Sequence, residues 1–188
     1  WSNNKYAIAI ANGSLALSSA YLSLNIGKGD EVITTPRTFI ATASSISLLK
    51  AVPIFADVDI NSVNITAKNI EPLITKKTKA ISVVHLAGWP AEMIDIKKLA
   101  EEYNLYIIED CAQSHGAKIK LNDNFKSVGS FGDVAAWSFC QDKIISTGGE
   151  GGMITTDNDE IFKRIWSFKD HGKSYELFFK KTDSYCFR

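Results

Sequence analysis

The sequence predicts an α/β fold, a mostly parallel mixed sheet flanked by helices. Three observations predict it. Apolar runs such as Lys79–His85 (KAISVVH) and Leu105–Ile108 (LYII) have the continuity of strands buried on both faces. The segment Ala91–Tyr103 carries Met93, Ile96, Leu99 and Ala100 at helical spacing, with Lys97, Lys98, Glu101 and Glu102 opposite. The two kinds of segment alternate along the chain, as strands and crossover helices do.

Taken in order, Tyr6–Ala11 (YAIAIA) reads as a strand and Ser14–Asn25 as a helix ending before Gly27. Glu31–Thr35 is strand-like, Phe39–Leu49 helical, and Pro53–Phe55 a short strand. Lys68–Ile74 suits a short helix, and Lys79–His85 is the clearest strand. The amphipathic helix Ala91–Tyr103 leads into the strand Leu105–Ile108, which ends in Glu109-Asp110. Leu121–Gly132 is polar and contains glycine, so it reads as a long loop. Val134–Phe139 and Gly152–Thr156 are two further strands, and Glu160–Lys169 is a helix. No internal repeat or low-complexity tract interrupts the series.

Composition excludes several classes of function. Lys plus Arg equals Asp plus Glu, at 21 each, so the chain offers no electrostatic case for nucleic acid or an anionic membrane. No apolar run approaches the roughly 20 residues of a membrane helix. The cysteines, Cys111, Cys140 and Cys186, are odd in number and lack metal-ligand spacing, which fits a reducing, cytoplasmic setting. The opening Trp1-Ser2-Asn3-Asn4-Lys5 is no signal peptide. Both ends, the second at Ser184–Arg188, read as cut from a longer chain.

In folds of this class ligands gather at the carboxyl ends of the strands. Four clusters fall there. Asn12-Gly13-Ser14 joins a strand to a helix, and it suits either a plain N-cap or an anion held by free N–H groups. One glycine is short of the G-x-G-x-x-G of a dinucleotide site, and no phosphate-loop lysine follows. Glu109-Asp110-Cys111-Ala112-Gln113-Ser114-His115-Gly116 leaves a buried strand. A helix cap would account for Asp110 but not for Gln113, and His115 fits a structural role and a ligand contact equally. Thr38–Ala43 contains Phe39, a core aromatic or a ring-stacking one. In SFCQDKIISTGGEGG, Ser138–Gly152, the amine of Lys143 sits between a strand and a glycine-rich turn. It is either a surface lysine or a nucleophile toward carbonyls. A stacking aromatic, a carboxylate, an anion-binding turn, a serine and a lysine together are the parts that hold pyridoxal phosphate.

The motifs NGSLAL, TPRTFIATA, IIEDCAQSHGA, SFCQDKIISTGGEGGMITT and KDHG resemble, in this order, the DegT/DnrJ/EryC1/StrS family of nucleotide-sugar aminotransferases. The resemblance runs from Lys5 to about Gly172. It implies that residues 1–188 are the cofactor-binding large domain of a fold-type I, aspartate aminotransferase-like enzyme, without an N-terminal segment and the small C-terminal domain. By the same resemblance, Lys143 matches the lysine bonded to the cofactor aldehyde, and Asp110 the carboxylate paired with the pyridine nitrogen. Gln113 matches a residue against the cofactor near its ring oxygen, and Phe39 the ring-stacking aromatic. Gly13, Ser14 and Ser138 match phosphate contacts, while Gly148, Gly149, Gly151 and Gly152 would let backbone approach closely. The implied substrates are glutamate and a nucleotide-linked keto sugar, and the implied assembly is a homodimer whose second subunit completes the site. Relatives that are sugar dehydratases replace the lysine with histidine, so Lys143 favours amine transfer. A non-catalytic regulator or scaffold on the same fold is a second reading. A plain nucleotide-binding domain is a third, and it lacks its glycine fingerprint.

Overall fold

The computed structural model describes residues 2–179; Trp1, Cys186 and the Ser184–Arg188 end lie outside the described residues. Its elements are β1 (Tyr6–Ile10), α1 (Gly13–Ser23), β2 (Glu31–Thr34), α2 (Ala41–Leu48), β3 (Val52–Phe55), α3 (Ala67–Ile70), β4 (Thr78–Val84), α4 (Met93–Tyr103), β5 (Tyr106–Asp110), β6 (Lys118–Leu121), β7 (Asn124–Ser127), β8 (Val134–Ser138), β9 (Gly152–Thr156), α5 (Asp159–Lys169) and α6 (Tyr175–Phe179).

Seven strands form one sheet in the order β1-β9-β8-β5-β4-β2-β3. Pairing is parallel from β3 through β8, and β9 is antiparallel to both β8 and β1. The sheet is therefore mixed and mostly parallel. Strand β3 contains Pro53 and pairs only with β2, at the edge where a missing N–H is harmless.

Alternation along the strands builds two cores from neighbouring residues. Val32 and Ile108 face a layer with Leu17, Tyr21, Ile46, Ile161 and Ile165. Ile33 and Ile107 face the opposite layer with Ile70, Met93, Ile96 and Leu99. Both faces are thus covered by helices, which is why the inner strands read as unbroken apolar runs. Helix α1 is closely enveloped: Ala16, Ala20 and Tyr21 are fully buried, and its small residues admit α2 and β8 to close contact.

Three expectations are corrected. Residues 121–132 are not one long loop, because β6 and β7 pair as a hairpin from Lys118↔Ser127 to Leu121↔Asn124. Asn122, with φ at 50°, supplies the left-handed turn that glycine usually provides. Phe39 lies ahead of α2 rather than inside it, in a turn closed by Thr42 N–H donating to the Phe39 carbonyl at 3.2 Å. The Lys68–Ile74 segment splits into α3 and a 3₁₀ turn, Glu71–Leu73, where Pro72 lacks the donor a continuing helix needs. Helix α6, absent from the sequence reading, packs Tyr175 edge-on against Trp166, with ring centroids 5.2 Å apart.

Candidate active site

Strands β2, β4, β5 and β8 all end on one side of the sheet. Strand β1 ends there too, because β9 reverses direction between β8 and β1. A cavity of about 430 Å³ opens at these ends, and Gly13, Ser14, Phe39, Asp110, Gln113, Ser138 and Lys143 all line it. Seven residues spread over 131 positions of sequence therefore meet in one place.

One end of the cavity suits an anion. Asn12 caps α1, its Oδ1 accepting from Leu15 N–H at 2.9 Å, so the helix starts at Gly13 with its first-turn amides free of intrahelical partners. The positive end of the helix dipole points the same way. Ser138, from β8, sits so close that a Cβ on Gly13 would lie 2.7 Å from the Ser138 Cβ. Glycine is required here by close approach, not by backbone conformation. Gly152 packs equally tightly on the Asn12 carbonyl. Of the other glycines, Gly151 abuts Thr147 and Phe139, whereas Gly148 and Gly149 have open space.

The other end holds a carboxylate. Asp110 is only 5 % exposed. Its Oδ2 accepts from the Thr42 hydroxyl at 2.8 Å and its Oδ1 from Ala112 N–H at 3.1 Å. Thr42 in turn shares a hydrogen bond with Thr38 at 2.9 Å, one helical turn back. Burial pushes the Asp110 carboxyl above its ordinary range; the Thr42 and Ala112 hydrogen bonds and the Lys143 charge oppose this without cancelling it. Such a group gains from a cationic N–H placed beside it.

Between these ends lie three more side chains. Gln113 accepts from Ala87 N–H through Oε1 at 2.9 Å, which leaves its amide NH₂ as the remaining donor. Phe39 keeps 64 % of its surface exposed while lining the cavity, so a ring face is open for stacking. Lys143 stands on the turn after β8, its N–H donating to the Cys140 carbonyl at 3.0 Å. Its side chain is 16 % exposed, and Nζ lies 3.5 Å from Asp142.

His115 is not among the lining residues. It packs against Trp137 and Phe139 at 5.7 and 5.3 Å, and burial lowers its pKa. The structural role is the one this packing supports. Sequence reasoning missed Thr42, whose only signal was its i, i+4 spacing from Thr38. It also missed Glu109, whose partner is His85.

Glu109 and Asp110 are neighbours on β5, so their side chains leave opposite faces of the sheet. Glu109 and His85 are fully buried and joined at 2.9 Å, Nε2 to Oε2. Glu109 also accepts three backbone N–H groups, from Gly129 at 2.7 Å, Phe131 at 2.7 Å and Gly132 at 2.6 Å. Burial alone would raise its pKa, but the His85 hydrogen bond and the Gly132 and Gly129 amides outweigh it and hold the carboxyl below its usual range. Cys111 completes a trio whose ligand-type atoms lie within 4.8 Å. This trio is not a metal centre. His85 Nδ1 already accepts from Ala91 N–H at 3.1 Å, Glu109 is saturated, and burial raises the Cys111 pKa well above its ordinary value.

The site has counterparts in known proteins. The model of the DegT/DnrJ/EryC1/StrS aminotransferase family matches residues 1–186. The GDP-perosamine synthase of Escherichia coli O157:H7 is 44 % identical over 168 residues, covering 89 % of this chain and 45 % of that protein. An aminotransferase from Psychrobacter cryohalolentis superposes with a TM-score of 0.94 at 52 % identity, over 100 % of this chain and 47 % of the other. NtdA of Bacillus subtilis, crystallised with bound cofactor PMP, gives 0.84 at 32 % identity over 98 % and 40 %. The chain spans about half the length of these relatives, and its sheet has the architecture of fold-type I pyridoxal-phosphate aminotransferases. The chain belongs to the DegT/DnrJ/EryC1/StrS aminotransferase family.

Proposed function

We propose that this chain is the cofactor-binding large domain of a pyridoxal-phosphate-dependent aminotransferase. The enzyme moves an amino group from an amino acid, glutamate, to a keto sugar carried on a nucleotide. One observation carries the reading: a lysine, a buried carboxylate, an exposed-faced aromatic and a helix N-terminus converge on a single cavity. The residues fit the cofactor on their own chemistry. Asp110 is a buried carboxylate whose ionised form is costly, and the start of α1 at Gly13 and Ser14 opens, beside Ser138, on the same cavity. The volume of about 430 Å³ is that of a small-ligand site.

When bound, pyridoxal phosphate supplies an aldehyde that takes up amines and a ring that accepts electrons. The chain does the rest. Gly13 and Ser14, at the start of α1, and the Ser138 hydroxyl would hold the phosphate. Asp110 would pair with the ring nitrogen and keep it protonated, Phe39 would offer its ring for stacking, and Gln113 would donate its NH₂ to the ring oxygen. Lys143, whose amine lines the cavity, would be the residue that holds the cofactor through its aldehyde and, once free, the base for the Cα proton of the amino acid.

The nucleotide-sugar assignment rests on relatives such as the perosamine synthase, and the homodimer on the family resemblance. The free cysteines Cys111 and Cys140 suit a cytoplasmic setting, and no helix among the described residues is long and apolar enough to cross a membrane.

The test is borohydride reduction after incubation with pyridoxal phosphate, followed by peptide mass mapping. The expected result is one pyridoxyl group, on Lys143. Labelling spread over surface lysines, or none at all, would refute the site. Lys143→Ala should abolish amine transfer from glutamate; measurable transfer by that variant would overturn the role given to Lys143.

A further inference from the structure

The buried Glu109–His85 pair takes no part in the site as described, yet it lies directly behind it. Its hydrogen bonds form a continuous path. Glu109 accepts from His85 Nε2, so the ring carries its proton there, and Nδ1 accepts from Ala91 N–H. That second bond closes the chain segment 85–91 into a loop around the imidazole. Inside this loop Ala87 has a left-handed backbone, φ 53°, which a side chain disfavours, and Gly88 follows at φ 81°. The conformation aims Ala87 N–H at Gln113 Oε1. The loop is tied at two further points, by Trp89 N–H to the Leu86 carbonyl at 3.0 Å and by Asn64 Nδ2 to the Trp89 carbonyl at 3.0 Å. His85 N–H also meets the Asp110 carbonyl at 3.2 Å, so the same residue touches the backbone of the ring-pairing carboxylate.

We propose that Glu109 and His85 are positioning residues: they fix the 85–91 loop in its strained form so that Ala87 N–H holds the Gln113 side chain at the cavity wall. A buried ionic group is a poor stabiliser compared with a well-packed apolar one, so geometry is the more economical reason for its presence. The arrangement resembles the way outer hydrogen-bond partners orient metal ligands, with an amide in place of the ligand. The proposal rests on the cofactor reading for the purpose it gives Gln113, but the mechanical link itself is independent of any cofactor.

Two substitutions cut the path at different points. His85→Gln keeps an N–H near the Nε2 position for Glu109 and removes the acceptor for Ala91. His85→Asn keeps an acceptor near Nδ1 and removes the donor to Glu109. The first measurement is amide hydrogen exchange on the 188-residue chain without cofactor. In His85→Gln the Ala87 and Ala91 amides should exchange at least about tenfold faster, with Ile81 and Ile108 in the sheet core unchanged. His85→Asn should free Ala87 by cutting the link to Glu109, and it serves alone if His85→Gln fails to fold. Unaltered exchange at Ala87 in a folded variant would overturn the proposal, as would uniform acceleration that includes the core.

The second measurement is a double-mutant cycle on pyridoxal phosphate affinity and absorbance. His85→Gln and Gln113→Ala should each weaken binding about tenfold and shift the absorbance alike, and the double variant should be no worse than either single one. Independent effects, multiplying to about a hundredfold, would refute the link. If the unsubstituted chain binds no pyridoxal phosphate, the cofactor reading falls, and the exchange experiment still decides whether the pair positions Gln113.

Discussion

The close approach of Gly13 to Ser138 makes Gly13→Ala the sharpest probe of the anion-binding end. An added Cβ would lie 2.7 Å from the Ser138 Cβ and 3.0 Å from its Oγ. Neither a Cβ nor the strand that bears it can swing aside, so the start of α1 must retreat by about 0.7 Å to reach the 3.4 Å of ordinary contact. Overpacking of this kind costs about 1–3 kcal/mol. For a chain of this size that lowers Tm by roughly 2–4 °C per kcal/mol. The same retreat would carry the first-turn amides away from the phosphate and weaken an interaction worth up to ~2 kcal/mol, which is up to about thirtyfold in Kd. Titration with pyridoxal phosphate and with pyridoxal, which lacks the phosphate, separates the two effects. Gly13→Ala should impair the first ligand and leave the second nearly untouched. Gly148→Ala is the control: its φ of 87° makes alanine cost about 1 kcal/mol, but nothing lies within 4 Å of the new atom. Equal loss for both ligands in Gly13→Ala, or no loss for either, would refute the assignment of the phosphate to the start of α1.

Asp110 gives a prediction of opposite signs for stability and binding. Its folded pKa is raised, so whatever it contributes to stability is present at acid pH and lost as pH rises through that value. Asp110→Asn should therefore raise the Tm of the cofactor-free chain at neutral pH. The unsubstituted chain should lose affinity for pyridoxal phosphate as pH falls through the raised pKa; Asp110→Asn should bind more weakly and lack that pH dependence. A variant that is destabilised at neutral pH and binds as before would count against both parts. Glu109 behaves in the reverse sense: its pKa is lowered, so its contribution is present above the unfolded value and lost as pH falls. Glu109→Gln should cost about 3–5 kcal/mol in urea unfolding, because a donor NH₂ would face backbone donors in a buried site. A loss under about 1 kcal/mol would show the network to be slack. Thr42→Val, which keeps the shape and deletes the donor to Asp110, should raise the Asp110 pKa further and weaken pyridoxal phosphate most at acid pH; a uniform loss across pH would argue for a packing defect instead.

The sheet was legible because its inner strands are covered on both faces. KAISVVH and LYII announce such burial without reference to anything distant. The β6–β7 hairpin was not legible for the opposite reason. KIKLNDNFKS is half exposed, alternates polar with apolar, and turns on Asn122-Asp123 without the glycine that usually marks such a turn. The seven lining residues could be named singly, but their convergence depends on sheet order, which places the end of β1 one strand away from that of β8, across 128 residues of chain. Thr42 escaped because its importance lies in a bond to a residue 68 positions away. Phe39 was assigned to a helix because the apolar spacing of residues 39–49 runs through it, whereas the turn before α2 is what leaves its ring exposed.

Adjacent carboxylates on one strand illustrate how this fold separates stability from chemistry. Glu109 and Asp110 differ by one methylene and one position, and both are desolvated. The pleat sends them to opposite faces. On one face, His85 and three backbone amides surround Glu109 and make its ionised form the favoured one. On the other, Asp110 meets only the Thr42 hydroxyl and the Ala112 amide, and its ionised form stays costly. The same charge is thus satisfied on one side and left wanting on the other. A cation entering the cavity would gain what the protein has withheld from Asp110, and under the proposed function this gain would favour a protonated ring nitrogen there. A one-residue slip of β5 would exchange the two environments and destroy both at once; the ladders to β4 and β8 oppose it, and so do the bonds from Glu109 to the 129–132 turn.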